Sequence, residues 1–194
     1  AQLYEQVAQL AAALCRAGVV NGDRVAGFIP NVPEAVVAML ACSSIGAIWS
    51  SCSPDFGING VIDRFGQIGP KVLFACDGYF YNGKTFDSSQ RLSEICRQIP
   101  SIQQRVIVPI IDPDKDIPDS QKYEDFLLTE NTPPLEFEQL PFDHPLYIVY
   151  SSGTTGVPKC IVHGAGGTLL QQLKEHRLHV DLRSDDVLFY FTTC

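Results

Sequence analysis

Short apolar segments alternate with helix-like ones along most of the chain, and this alternation constrains the fold more than any other feature of the sequence. Arg24-Val25-Ala26-Gly27-Phe28-Ile29, Ala47-Ile48-Trp49-Ser50, Lys71-Val72-Leu73-Phe74-Ala75-Cys76 and Arg105–Ile111 read as strands. Between them lie helical patterns. Leu3, Val7, Leu10, Ala11 and Leu14 recur at helical spacing, with Gly18 as the stop. Asn31 and Pro33 are placed to cap and open a helix from Glu34 to Ile45. That helix is apolar nearly all round and is expected to be sandwiched in the core. Further helices fit Gly57–Ile68 and Ser89–Gln98, the second ended by Pro100. Strands joined through helices cannot form tight hairpins, so the chain is expected to build an α/β fold: a mainly parallel sheet flanked by helices.

The charge is concentrated in one place. Residues 111–143 hold Asp112, Asp114, Asp116, Asp119, Glu124, Asp125, Glu130, Glu136, Glu138 and Asp143 against Lys115 and Lys122, which accounts for the net charge of -8. With Pro109, Pro113, Pro118, Pro133 and Pro134 nearby, this acidic stretch reads as a connection between subdomains, holding a short helix at Tyr123–Leu128. No basic footprint for nucleic acid is present, and no apolar run reaches the length of a membrane span. The seven cysteines are irregularly spaced, without a Cys-x-x-Cys pair, and most lie among apolar neighbours. They read as small buried residues of a reduced, cytoplasmic protein.

Tyr150-Ser151-Ser152-Gly153-Thr154-Thr155-Gly156-Val157-Pro158-Lys159 carries the chemistry. It lies between the apolar runs Leu146–Val149 and Cys160–Val162, giving strand, small-residue loop, strand. Gly153 and Gly156 let the backbone fold back so that N–H groups converge on an anion. Ser151, Ser152, Thr154 and Thr155 add hydroxyl donors without bulk, and Lys159 adds a mobile positive charge. The reading is a phosphate clasp; a solvated turn is the bland alternative. The nucleoside-triphosphate loop Gly-x4-Gly-Lys-Ser/Thr does not fit, because Gly153 and Gly156 are too close and Cys160 follows Lys159.

Other candidates weigh less. Gly164-Ala165-Gly166 lacks the third glycine of a dinucleotide fingerprint, since Leu169 stands there, and reads as a turn into a helix that runs to about His179. Asp185–Thr193 then reads as a last strand. His176 and His179, with Glu175, have a spacing that can bind zinc, but Lys174 and Arg177 mark a solvated face. His163 is close enough to the clasp to reach it. Ser151 and Ser152 have no nucleophile-elbow frame and serve better as phosphate donors. Trp49-Ser50-Ser51-Cys52-Ser53-Pro54-Asp55-Phe56-Gly57 leaves a strand end through small polar residues, where parallel sheets gather ligands. Ser53 or Asp55 as the cap of the next helix is the alternative.

Ser-Ser-Gly-Thr-Thr-Gly-x-Pro-Lys at 151–159 resembles the signature loop of the adenylate-forming enzymes, which include the acyl-CoA synthetases. One departure is Cys160, where that family usually has glycine. Asn31–Leu40 followed by Gly46-Ala47-Ile48 is similar to the early region of short-chain acyl-CoA synthetases. Trp49–Gly57 departs from the acetate-activating members, which are glycine-rich there. It resembles the acetoacetate-activating branch instead, as do Tyr81-Asn82-Gly83-Lys84, Leu135–Phe142, His163–Thr168 and Lys174-Glu175-His176.

The resemblance covers essentially the whole chain. It implies part of the large N-terminal domain of such an enzyme: about 1–142 as a first α/β subdomain with the connector, and 143–194 as the clasp hairpin and the start of a second. It also implies an AMP-forming acid–thiol ligase using Mg-ATP and CoA, with acetoacetate ahead of acetate, propionate or another short acid. Ser151, Ser152, Gly153, Thr154, Thr155, Gly156 and Lys159 would handle the ATP phosphates. Ser53, Pro54, Asp55 and Lys84 would lie toward CoA. No catalytic residue or metal ligand is assigned. The acyl pocket, adenine segment, ribose-binding aspartate and catalytic lysine are expected after Cys194, so residues 1–194 alone are expected to be inactive. A non-catalytic nucleotide-binding domain and a phosphotransferase stay open.

Overall fold

The computed structural model describes residues 2–151, 156–190 and 192. Five parallel strands form its centre: β1 (Arg24–Phe28), β2 (Ile48–Cys52), β3 (Val72–Cys76), β6 (Gln104–Val108) and β8 (Pro145–Ser151). The two-residue β7 (Gln121–Lys122) extends one edge, and β9 (Lys159–Gly164) closes the other, antiparallel to β8. The order across this seven-stranded sheet is β7-β6-β3-β1-β2-β8-β9.

The innermost strands β1 and β3 are buried on both faces, so they read as continuous apolar runs instead of alternating ones. All five residues of β3 are buried. Its Val72 and Phe74 face a core shared with α1 (Gln2–Arg16) and α2 (Pro33–Ser44), where Leu10, Leu14, Val37 and Ala38 pack. Leu73 and Ala75 face the opposite core, built by Val61 and Phe65 of α3 (Ile58–Ile68) and Leu92 and Ile95 of α4 (Ser89–Gln98). Helices thus cover both faces, as the alternation requires.

The acidic stretch is pinned across the sheet. Within it, α5 (Tyr123–Phe126) sends Tyr123 and Phe126 against Phe74, with ring centroids 6.3 and 6.2 Å apart. Trp49 of β2 packs on the same ring at 6.3 Å. Asp77, only 1% exposed, accepts the backbone N–H groups of Ile110, Ile111 and Asp112, which anchors the segment's beginning.

Several expectations are corrected. Neither Asn31 nor the Ser53–Asp55 segment caps a helix: the N-cap residues of α2 and α3 are Val32 and Gly57, without side-chain capping bonds. Asn31 instead donates to the Thr192 carbonyl. Pro33 does open α2. That helix is not enclosed all round, since Ala35, Val37, Ala38 and Ala41 are buried while Val36 is 39% exposed. Asp185–Tyr190 is irregular and exposed, not a strand, because no strand among the described residues lies beside it to supply ladder bonds. The helix after Gly164 is α6 (Ala165–Lys174), continued by one π-helical turn at Glu175–His179. A two-stranded hairpin, β4 (Gly78–Tyr81) with β5 (Lys84–Asp87), adds to the expected elements.

Candidate active site

Strand β8 leaves the middle of the sheet and β9 returns along it, with Ser151 opposite Lys159 at the open end. Residues 152–158 make the connection. Of the clasp residues, Ser152, Gly153, Thr154 and Thr155 lie outside the described residues. Gly156 has φ +106°, a conformation that side-chain-bearing residues rarely adopt, so the fold-back depends on glycine there. Lys159 is exposed and makes no ion pair among the described residues. Ser151 is half-buried at the strand's end.

Beside the hairpin lies a cleft of about 860 Å³. Its walls come from Val36, Met39 and Leu40 on the open side of α2, Trp49 and Ser51 of β2, Leu146–Tyr150 of β8, and Thr168 and Gln172 of α6. This explains the exposed apolar side of α2. Arg64 is the one charged residue among the described lining residues, so the cleft is an apolar trough with a single cation. The Arg64 guanidinium lies over the Phe56 ring at 4.4 Å and the Tyr150 ring at 5.6 Å. Burial raises the Tyr150 phenol above its ordinary range, opposed by its hydrogen bond with Ser50 and by the Arg64 charge. Burial likewise pushes the Cys52 thiol up to about 12, so it stays protonated at neutral pH.

Ser53 lines this cleft together with Tyr150, whereas Pro54 is buried behind it and Asp55 points outward as an exposed residue. Lys84 is exposed on the β4–β5 hairpin and is not among the cleft-lining residues. Arg91 links the Ser53–Asp55 segment to the hairpin's strand β4: it donates to the Pro54 carbonyl at 3.1 Å and lies 5.7 Å over the Tyr79 ring. Arg91 was not singled out from the sequence. In the sequence it resembles any solvated helix arginine, and only the fold brings it here. The hairpin itself had a legible signal: Asn82 and Gly83, at φ 48° and 71°, form the two-residue turn that Asn-Gly favours.

His163 is exposed on β9, opposite Tyr147, their rings 5.1 Å apart. It lines a second, smaller cavity of about 310 Å³ with Thr168 and Gln171 rather than the hairpin's open end. His176 and His179 are exposed on the π-helical turn, and among the described residues no group of three or more His, Cys, Asp or Glu could hold a metal. No helix among the described residues is long and apolar enough to cross a membrane.

Residues 1–194 match the sequence profile of the AMP-binding enzyme family from end to end. The chain belongs to the AMP-binding enzyme family. Within it, the chain is 52% identical to proteins named acetoacetyl-CoA synthetase from Mus musculus over 99% of its length, and from Rhizobium meliloti over 100%. A malonamoyl-CoA synthetase from Penicillium aethiopicum is 42% identical over 99% of the chain. Among solved structures, an acetoacetyl-CoA synthetase from Streptomyces lividans superposes with a TM-score of 0.93 at 45% identity, covering 98% of this chain and 29% of that one. The chain spans about 30% of the length of the two acetoacetyl-CoA synthetases and 28% of the malonamoyl-CoA synthetase.

Proposed function

We propose that the protein containing this chain activates acetoacetate with ATP and transfers the acyl group to CoA, releasing AMP and pyrophosphate. The observation that carries this reading is the 52% identity, spread over nearly the whole chain, to proteins named for that product. In the first step the carboxylate oxygen attacks the α-phosphorus of ATP and the bond to the β-phosphate breaks. In the second, the CoA thiol attacks the acyl carbon and AMP leaves.

Carboxylate and triphosphate repel each other, and pyrophosphate gains charge as it departs. Ser151, Ser152, Thr154, Thr155 and Lys159 would supply donors at the β- and γ-phosphates, with Gly153 and Gly156 shaping the turn. Mg²⁺ enters with ATP as part of the substrate. Losing one such pre-set donor costs about 3 kcal/mol of transition-state stabilisation. Ser53, Pro54, Asp55 and Lys84 would lie toward CoA, joined by Arg91. The compartment is taken to be the cytoplasm.

Acetoacetate and malonamate share one shape, a carbonyl two carbons from the carboxylate, and differ by methyl against amino. The presence of a malonamoyl-CoA synthetase at 42% identity makes the acid the point to test. Thioester formation by the full-length protein should be measured with acetoacetate, malonamate, 3-hydroxybutyrate and butyrate. A pocket that hydrogen-bonds the β-carbonyl rejects acids lacking it by about 10⁴-fold or more. Equal rates with butyrate and acetoacetate would overturn the assignment, and ADP as product would replace ligation with phosphotransfer.

A further inference from the structure

Helix α3 touches the hairpin at both ends of its connecting segment. From one side Gln67 Nε2 donates to the Pro158 carbonyl at 2.8 Å, one residue before β9 begins. Three residues earlier, on the same helix face, the Arg64 guanidinium lies over the ring of Tyr150, the residue before Ser151. Its fork is fixed from below by donation to the Gly60 carbonyl at 2.7 Å and from the side by the Phe56 ring. Tyr150 is held in turn: its hydroxyl lies 2.9 Å from Ser50 Oγ, which donates to the Ile148 carbonyl at 2.8 Å. Cys160, across the ladder from Tyr150, packs with Ile58 against the core on the α3 side. The helix is a rigid base, since Val61 and Phe65 are fully buried and Ile68 is 9% exposed.

An edge hairpin has a partner on one side only, so its tip is the part of a sheet most free to twist. Phosphate donors work without reorganisation only if they are held still. Arg64 forms no ion pair among the described residues; its charge is directed onto two aromatic faces. We propose that α3 is the tether that sets the hairpin for phosphate binding, with Arg64 and Gln67 as positioning residues acting through Tyr150 and Pro158. The inference rests on the adenylating reading above and adds residues outside the clasp.

The test uses the full-length protein, with ATP–pyrophosphate exchange and backbone hydrogen exchange read in parallel. Misplacing donors from a distance can lower turnover by up to about a hundredfold. Arg64→Gln and Gln67→Ala are expected to lower kcat about tenfold or more while the KM for the acid stays within about twofold, and Arg64→Lys should recover most of the loss. The double variant Arg64→Gln/Tyr150→Leu should lose no more than Tyr150→Leu alone, because both act through one ring. Exchange at peptides covering 148–151 and 156–162 should rise in Arg64→Gln and Gln67→Ala. Unchanged exchange there, multiplying effects in the double variant, or a loss confined to the KM for the acid would each overturn the tether. If the parent shows no adenylation but exchange rises as described, the tether stands and the reaction assigned above falls. Gln67 is exposed, so Gln67→Ala gives a result even if an Arg64 variant does not fold.

Discussion

Replacing Lys159 by methionine keeps the aliphatic stem and removes one charge from the mouth of the hairpin. The size of the effect follows from where that charge sits. Lys159 is exposed, opens β9 opposite Ser151, and has no carboxylate partner among the described residues, so its charge is not already neutralised. Two unit charges about 4 Å apart interact by about 1 kcal/mol at the dielectric of water and about 4 kcal/mol at an effective dielectric of 20. A rim position lies between these limits, and about 2 kcal/mol on the charge developing on pyrophosphate corresponds to a rate loss of about thirtyfold. The assay is pyrophosphate exchange into ATP by the full-length protein at saturating acid. The melting temperature should be unchanged, since the side chain is exposed. An exposed charge is also screened by salt, so the gap between parent and variant should narrow from low to high ionic strength. Exchange at the parent rate, or a loss matched by a fall in melting temperature, would refute the electrostatic role.

Phe74→Ala, at the centre of the Trp49, Tyr123 and Phe126 contacts, should destabilise the chain by about 3–5 kcal/mol in a denaturant titration, because Phe74 is 1% exposed and the hole cannot fill. Gly78→Ala places a Cβ 2.4 Å from the Phe86 carbonyl oxygen and from Ile111; a loss of about 1–3 kcal/mol is expected in the same titration. Asp87 is held down at about 2, first by the Lys115 ammonium and also by the Ser89 N–H, against a modest opposing effect of burial. Its folded pKa is below the unfolded value of about 3.9, so its contribution is full above pH 4 and disappears as pH falls through about 2. The melting temperature of Asp87→Asn should lie below the parent at pH 7 and converge with it near pH 2. Alkylation of the native chain at pH 8 should spare Cys42, Cys52 and Cys76, whose thiols are buried and driven upward, and label the exposed Cys15 before them; mass spectrometry of the modified peptides reads the order.

Local pattern determined most of the architecture. Runs such as Val72–Cys76 are apolar without a break because both sheet faces are covered, and that burial leaves its mark residue by residue. The proposed clasp rests on an equally local argument: a loop that folds back around an anion needs glycines and small hydroxyls in a set order, as at Ser151–Lys159. Asn82-Gly83 carried an equally local signal, which only the structure turned into a hairpin. Caps proved less certain, since Ser53, Asp55 and Asn31 are all able to cap and none of them does. Tertiary structure alone decided which distant residues meet. It set Arg64 and Gln67 under the two ends of the hairpin, brought Arg91 between Pro54 and Tyr79, and turned the open side of α2 into a cleft wall. The physical reason is range: strands, turns and loop chemistry are chosen by neighbours a few residues apart, whereas a cleft arises only where the sheet order has placed separate segments side by side.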